Sequence, residues 1–313
     1  MVAISVSCLI LILVRLVDFV YANAGFVMVN QAMAGGDSDV DWSRVVWWLE
    51  RVDLNMTGRG AGFALAVLER EDAALAAWQQ AGEGAQDFLV RGISARKLGD
   101  WETAVTWFNR AARINPDLAD TWYELGLTYE GLEDSQKAIA AYEQGLTKTE
   151  FSQTGVSDFY LQLGLVNMQS VERVDWETAV YYYDQALLQN NFGNGLDEVR
   201  AHYLKAEAFS RSGQTTQAIA EYEWVITQQP EHYWAHARLG FLLWNAQKDA
   251  TAAETLFLQA LALNSQQKAA YRGLGIVYQE TGRHREAIEM YQKLLSLDPT
   301  DTNAQTALAT LEQ

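Results

Sequence analysis

The sequence predicts an all-α protein, a solenoid of antiparallel helix pairs preceded by an apolar N-terminal helix. Three observations carry that prediction. The hexapeptide Asp-Trp-Glu-Thr-Ala-Val stands at 100–105 and returns at 175–180. An alanine followed four residues later by an aromatic ring recurs seven times, at Ala74/Trp78, Ala104/Phe108, Ala138/Tyr142, Ala179/Tyr183, Ala218/Tyr222, Ala253/Phe257 and Ala287/Tyr291. Each of the three prolines, Pro116, Pro230 and Pro299, follows its ring (Phe108, Tyr222, Tyr291) by eight residues. Scattered prolines would not share one phase, and so few of them suit a helical chain.

The first element is a hydrophobic leader, residues 1–36. Residues 2–14 carry no charge, and only Arg15 and Asp18 interrupt 2–34. A membrane span needs about 20 apolar residues. The whole stretch reaches that length if Arg15 and Asp18 snorkel or neutralise each other. Ala22-Asn23-Ala24 and Ala32-Met33-Ala34 also have the small-x-small form of a signal-peptide cleavage site, although no basic residue precedes the apolar run. A membrane tether, a signal peptide and a buried leader helix therefore all stay open. Residues 37–54, with DWSRVVWWLERVD at 41–53, read as a helix joining the leader to the array.

Seven units follow over 55–301, at 55–84, 85–118, 119–156, 157–198, 199–232, 233–267 and 268–301. Upstream of each recurring alanine lies a small residue: Gly62, Gly92, Gly126, Gly164, Ala206, Gly240 and Gly275. The separation is twelve residues in five units, thirteen in one and fifteen in one. Each unit thus reads as two helices. Leu125 and Tyr129 lie four apart on one face of the first. Gly in a helix costs about 1 kcal/mol against Ala, which close approach of the second helix offsets. The hexapeptide opens the second helix of two units: Asp100 stands as the N-cap, Trp101 covers the pair, and Ala104 and Val105 face inward. Residues 191–195 (NFGNG) read as a turn-rich exit where the array bends. Residues 302–313, with Leu308 and Leu311 on one side, read as a capping helix.

Ala104 and Ala138 are 34 residues apart. Together with Trp122-x-x-Leu125-Gly126-x-x-Tyr129 and Ala138-x-x-x-Tyr142, this period resembles the tetratricopeptide repeat. Tyr271-x-x-Leu274-Gly275-x-x-Tyr278, Ala287-x-x-x-Tyr291 and Pro299 repeat the pattern. The resemblance implies a right-handed superhelix whose first helices line a concave face that binds peptides. Ala206 in place of Gly, and Leu294 where a small residue is usual, depart from it.

Searching for chemistry finds little. The formal net charge is −17, which repels phosphate backbones and excludes nucleic acid as an expected partner. Cys8 is the one cysteine, so neither a disulfide nor a thiolate metal site is expected. His202 and His236 sit at the phase of Trp122 and Tyr271 and read as packing aromatics. His232 and His236 have the spacing of a metal clip, but no further ligand completes a set. Gly58-Arg59-Gly60-Ala61-Gly62 lacks the strand and the Lys-Ser/Thr of a phosphate loop. The Asn55-Met56-Thr57 sequon is a three-residue motif and weak. No cofactor fingerprint and no catalytic set is present, so a non-enzymatic protein is expected.

The expected function is a protein–protein interaction scaffold, tethered by contact of residues 2–34 with a membrane, or set in a cell envelope or secreted. The phase implied by the resemblance puts Tyr123, Leu127, Leu161, Leu165, Tyr203, Phe241, Trp244 and Arg272 in the peptide groove, with Leu89, Ile93, Glu207 and Ile276. A groove of this composition takes apolar or aromatic segments, and the acidic charge favours basic ones. The family's carboxylate clamp of Lys and Asn has no counterpart here. The alternative is an accessory subunit of a membrane enzyme such as an envelope glycosyltransferase.

Overall fold

The structure, a computed structural model, describes residues 71–80, 82–169, 174–193 and 196–312. The leader at 1–36, the joining helix at 37–54 and the sequon and glycine cluster at 55–62 lie outside the described residues. Those residues hold fourteen α-helices and no strand. Among them, no helix is long and apolar enough to cross a membrane.

The chain divides into two compact units. The first takes the described residues up to Leu132 with 148–150; the second takes 133–147 and everything described from Phe151 on. The first unit contains α1 (Glu71–Gln80), α2 (Ala85–Lys97), α3 (Trp101–Ile114) and α4 (Ala119–Gly131). The second contains α5 (Ser135–Leu146), α6 (Val156–Gln169), α7 (Trp176–Gln189), α8 (Glu198–Arg211), α9 (Thr215–Gln228), α10 (Tyr233–Gln247), α11 (Ala250–Leu263), α12 (Lys268–Glu280), α13 (His284–Leu297) and α14 (Thr302–Leu311). Packed pairs are α2 with α3 in the first unit and α6 with α7, α8 with α9, α10 with α11 and α12 with α13 in the second; by repeat phase the even-numbered helices from α2 to α12 are called A helices below. The odd-numbered ones from α3 to α13 are the B helices.

Every alanine of the seven sequence steps is fully buried, and so is every ring except Tyr291, at 3% exposure. The reason is the small residue opposite. A β-carbon on Gly92 would stand 2.4 Å from Phe108 Cε1, one on Gly164 2.4 Å from Tyr183 Cε1, and one on Gly275 2.6 Å from Tyr291 Cε1. The B-helix ring therefore packs directly against the glycine of the A helix of its own pair. Phe257 is also held from the far side, where a β-carbon on Gly273 of the following A helix would stand 2.2 Å away.

The two hexapeptides do the same work. Asp100 caps α3 by accepting from Thr103 N at 3.3 Å. Asp175 caps α7 from Thr178 N at 3.0 Å and also accepts from Thr178 Oγ1 at 2.8 Å. Each tryptophan reaches the last turn of the next A helix, beyond its own pair. Trp101 lies where a β-carbon on Gly131 would meet it at 2.6 Å, and the Arg211 guanidinium stands 6.0 Å from the Trp176 ring.

The phase occupied by Trp122 and His236 has a polar role that periodicity alone did not reveal. Trp122 Nε1 donates to the Pro116 carbonyl at 3.1 Å, and His236 Nε2 lies 2.8 Å from that of Pro230. Tyr271 and Gln305 donate in the same way to the carbonyls of Ser265 (3.1 Å) and Pro299 (2.7 Å). Each ties the start of its helix to the turn six residues back.

The described part of the exit from the fourth unit is hydrogen-bonded to the chain before it. Residues 191–193 are bound to the start of α6. The buried Asp158 carboxylate accepts from Gly155 N at 2.9 Å and Gly193 N at 3.0 Å. Ser157 Oγ donates to the Ala186 carbonyl at 2.7 Å and accepts from Asn191 N at 2.9 Å. Residues 194–195 lie outside the described residues. At the C-terminal end Ala304 is buried, and Leu308 and Leu311 pack on the core of α10 to α13.

Candidate partner-binding surface

The eight groove residues named from the sequence separate by burial. Leu161 is wholly buried, and Tyr123 and Trp244 nearly so, at 4% and 5% exposure. They belong to the packed interior and offer a partner almost no surface. The Trp244 indole sits under Lys248 Nζ, 4.5 Å from the ring. Leu127, Leu165, Tyr203, Phe241 and Arg272 are half-buried. Phe241 stands edge-on to Phe257 with centroids 4.9 Å apart. Arg272 Nη2 is 2.5 Å from Asp301 Oδ2, and Asp301 in turn caps α14 through Ala304 N. Arg272 is thus engaged in holding the last helix.

Of these five, Tyr203, in the second unit, lines a concavity. A hollow of about 410 Å³ is lined by Asp197, Val199, Arg200, Tyr203, Leu204, Gln229, His232 and Trp234. The first two turns of α8, the first turn of α10 and the turn preceding α10 form its walls. Tyr203 forms one side: its ring centroid is 4.8 Å from that of His232 and 5.8 Å from that of Tyr222. Trp234 is exposed at 43%, unusual for so large a ring, and packs at 5.5 Å on Tyr233. Phase reasoning found Tyr203 and missed the other seven. An exposed tryptophan just past a proline turn was the one available signal.

Local electrostatics are settled residue by residue. Asp197 caps α8 by accepting from Arg200 N at 2.8 Å. The Arg200 side chain has no ion pair among the described residues. His232 caps α10 by accepting from Ala235 N at 3.1 Å, and burial pushes its pKa below the usual imidazole value. His232 and His236, the pair with metal-clip spacing, therefore spend ring nitrogens on a cap and a turn carbonyl.

One turn further along α8, Glu207 is buried. Tyr222 donates to it at 2.5 Å, and Arg238 Nε lies 2.9 Å away at ion-pair distance without hydrogen-bond alignment. Burial raises the Tyr203 and Tyr222 hydroxyls, and the Glu207 charge raises them further, so both stay protonated. On the other flank of α8, Glu221 takes His202 Nδ1 at 2.5 Å and Lys205 Nζ at 2.8 Å, and Lys205 also reaches Asp184 at 2.8 Å. The His202 ring stacks on Trp224 with centroids 3.7 Å apart. These clusters fix α8 between α7, α9 and α10. The helix that forms one wall of the hollow is accordingly held by side-chain contacts to three neighbours.

Residues 94–133 match a family model described as TPR repeat, and residues 203–267 and 244–311 match two described as tetratricopeptide repeat. The fold is similar to that of PilF from Pseudomonas aeruginosa, with a TM-score of 0.59 at 14% identity over 72% of this chain and 97% of that one. It is equally similar to PilW, a type IV pilus biogenesis factor, with a TM-score of 0.59 at 17% identity over 72% of this chain and 98% of that one. Cut9 with Hcn1, from a hetero-tetramer of the APC/C, gives 0.57 at 16% identity, over 87% of this chain and 53% of that one. Likeness at such identities speaks for the fold alone. No curated protein matched the sequence. With three stretches of sequence and the helix-pair architecture in agreement, the chain is a tetratricopeptide repeat protein.

Proposed function

We propose that this chain is a non-enzymatic scaffold that holds a segment of another protein on the A-helix side of its second unit, anchored in the hollow beside Tyr203. The observation that carries this reading is the hollow itself: a concavity walled by helices, with a half-exposed tryptophan in its lining. Aromatic anchors in rigid, partly desolvated pockets supply most of the energy at protein interfaces. The structural neighbour Cut9 was itself solved with a partner, Hcn1, which agrees with such a role.

Photo-crosslinking tests the reading in the cells that make the protein. Benzoylphenylalanine in place of Trp234 should capture polypeptide. The same group in place of Tyr181, an exposed residue of the B helix α7, should not. Equal capture from both positions, or capture from Tyr181 alone, would remove the hollow from consideration. The apolar stretch at 2–34 is proposed to tether the scaffold to a membrane; release of the full chain by alkaline carbonate would contradict that.

A further inference from the structure

The hollow's chemistry points to a partner of definite kind, and this step rests on the reading above. We infer that it takes an apolar or aromatic side chain carried on a basic segment, with Lys or Arg flanking the anchor. Half of the lining is apolar or aromatic (Val199, Leu204, Tyr203 and Trp234), half is polar, and its formal charges cancel. Asp197 and Arg200, three residues apart at the start of α8, bring opposite charges to the lining, and burial disfavours a proton on His232, the third group that could carry charge. A carboxylate or an ammonium brought into such a site would meet Arg200 or Asp197, but both are exposed to water, and a pairing with so well hydrated a group is worth little against the hydration given up. A leucine or an aromatic ring loses nothing polar and gains contact with the apolar half of the lining.

Outside the hollow the balance changes sign. Glu231 and Glu198 are exposed beside the turns that form its rim, while Asp197 and Arg200, also exposed, offset each other in the lining. The chain as a whole carries −17. Flanking residues of the bound segment lie within a Debye length of these carboxylates, so Lys or Arg there is attracted and Asp or Glu repelled. Arg200 is the one element of the lining that works against a basic segment. Its replacement by an acid should therefore strengthen binding, an effect that no destabilised or merely structural residue produces.

The test is selection of random displayed peptides on the full chain, followed by affinity measurements on the selected peptides. The inference expects sequences with a Leu, Phe, Tyr or Trp anchor between basic residues. Trp234→Ala should weaken them at least about tenfold, as for a central aromatic contact. Raising the salt should weaken them too, and Arg200→Glu should tighten them about two- to fivefold, as expected of a rim charge. Both substitutions fall on exposed side chains, and an unchanged circular dichroism melt verifies the fold of each variant. Peptides that depend on Trp234 but are acidic, and bind Arg200→Glu more weakly, overturn the inference and leave the hollow as a docking site. If none of the selected peptides depends on Trp234, the inference and the function it rests on both fall.

Discussion

Tyr183 lies so close to Gly164 that a β-carbon on the glycine would stand 2.4 Å from the ring, whereas the same atom on Gly240 would stand 3.0 Å from Phe257. The difference decides how each position tolerates alanine. At 2.4 Å the ring must leave its site, and overpacking of this sort costs about 1–3 kcal/mol. At 3.0 Å a small tilt suffices, and alanine's better helix propensity, about 1 kcal/mol, offsets the strain. Gly164→Ala should therefore lower stability by about 1–3 kcal/mol, while Gly240→Ala should change it by less than about 1 kcal/mol. Urea denaturation of the two variants tests this, and equal losses would show that ring contact is not what selects glycine. This layer was legible in the sequence because a small residue, an alanine and a ring recur at nearly fixed spacing. What the sequence did not reveal was the object each glycine faces, a ring and not a backbone, because spacing along a chain does not fix a rotamer. The donor role of Trp122, His236 and Tyr271 was hidden for a similar reason: aromatic side chains read first as packing, and their polar atoms count only once a carbonyl is in place.

Helices in this protein begin and end by repeated local chemistry, and the exceptions are informative. Five A-to-B turns place one residue at positive φ: Gly99, Gly213 and Gly282 at 78–81°, but Glu133 at 59° and Lys248 at 55°. A side chain in this left-handed region costs about 1–2 kcal/mol. Lys248 has compensation in Trp244 and Glu280, at 4.5 Å from the ring and 3.1 Å from the carboxylate. Glu133 is exposed and has no ion pair among the described residues. Glu133→Gly should raise stability by about 1 kcal/mol, read as a higher denaturation midpoint; a loss would mean that the glutamate has a contact of its own. The hexapeptide caps give a second contrast. Asp175 accepts two hydrogen bonds from Thr178, and Asp100 one long one from Thr103. Asp175→Ala should cost about 1–2 kcal/mol and Asp100→Ala about half of that, with hydrogen exchange at the start of α7 speeding up more than at the start of α3. The cap role was readable from Asp-x-x-Thr. The reach of each tryptophan to the next A helix was not, since it depends on how consecutive pairs stack.

At the scale of the molecule, charge sets the response to pH. The Arg283 guanidinium holds the Glu254 carboxyl below its usual range, and Arg272 does the same to Asp301. Each contributes stability that is full above the unfolded carboxylate value of about 4 and is lost as pH falls through the lower folded value. His232 acts earlier. Burial holds its folded pKa below the unfolded value of about 6.5, so below that pH the unfolded chain takes a proton that the folded chain resists, and stability declines. The melting temperature should thus fall in two stages on acidification, shallow below about pH 6.5 and steep below about pH 4. His232→Asn keeps a competent cap and should flatten the shallow stage; an unaltered profile would assign that stage elsewhere. The repeat architecture of the two units was readable from periodicity alone. The hollow was not, because it combines the turn before α10 with the starts of two helices, and a period along the chain does not say which turns enclose a cavity.

Amide hydrogen exchange of the full chain, with and without a peptide selected on it, tests the central claim most directly. If the A-helix side of the second unit is where this protein holds its partner, exchange should slow at 197–204 and 229–234 and along α8 and α10. Slowing confined to the B helices α7, α9 and α11, with 197–204 and 229–234 unchanged, would contradict it.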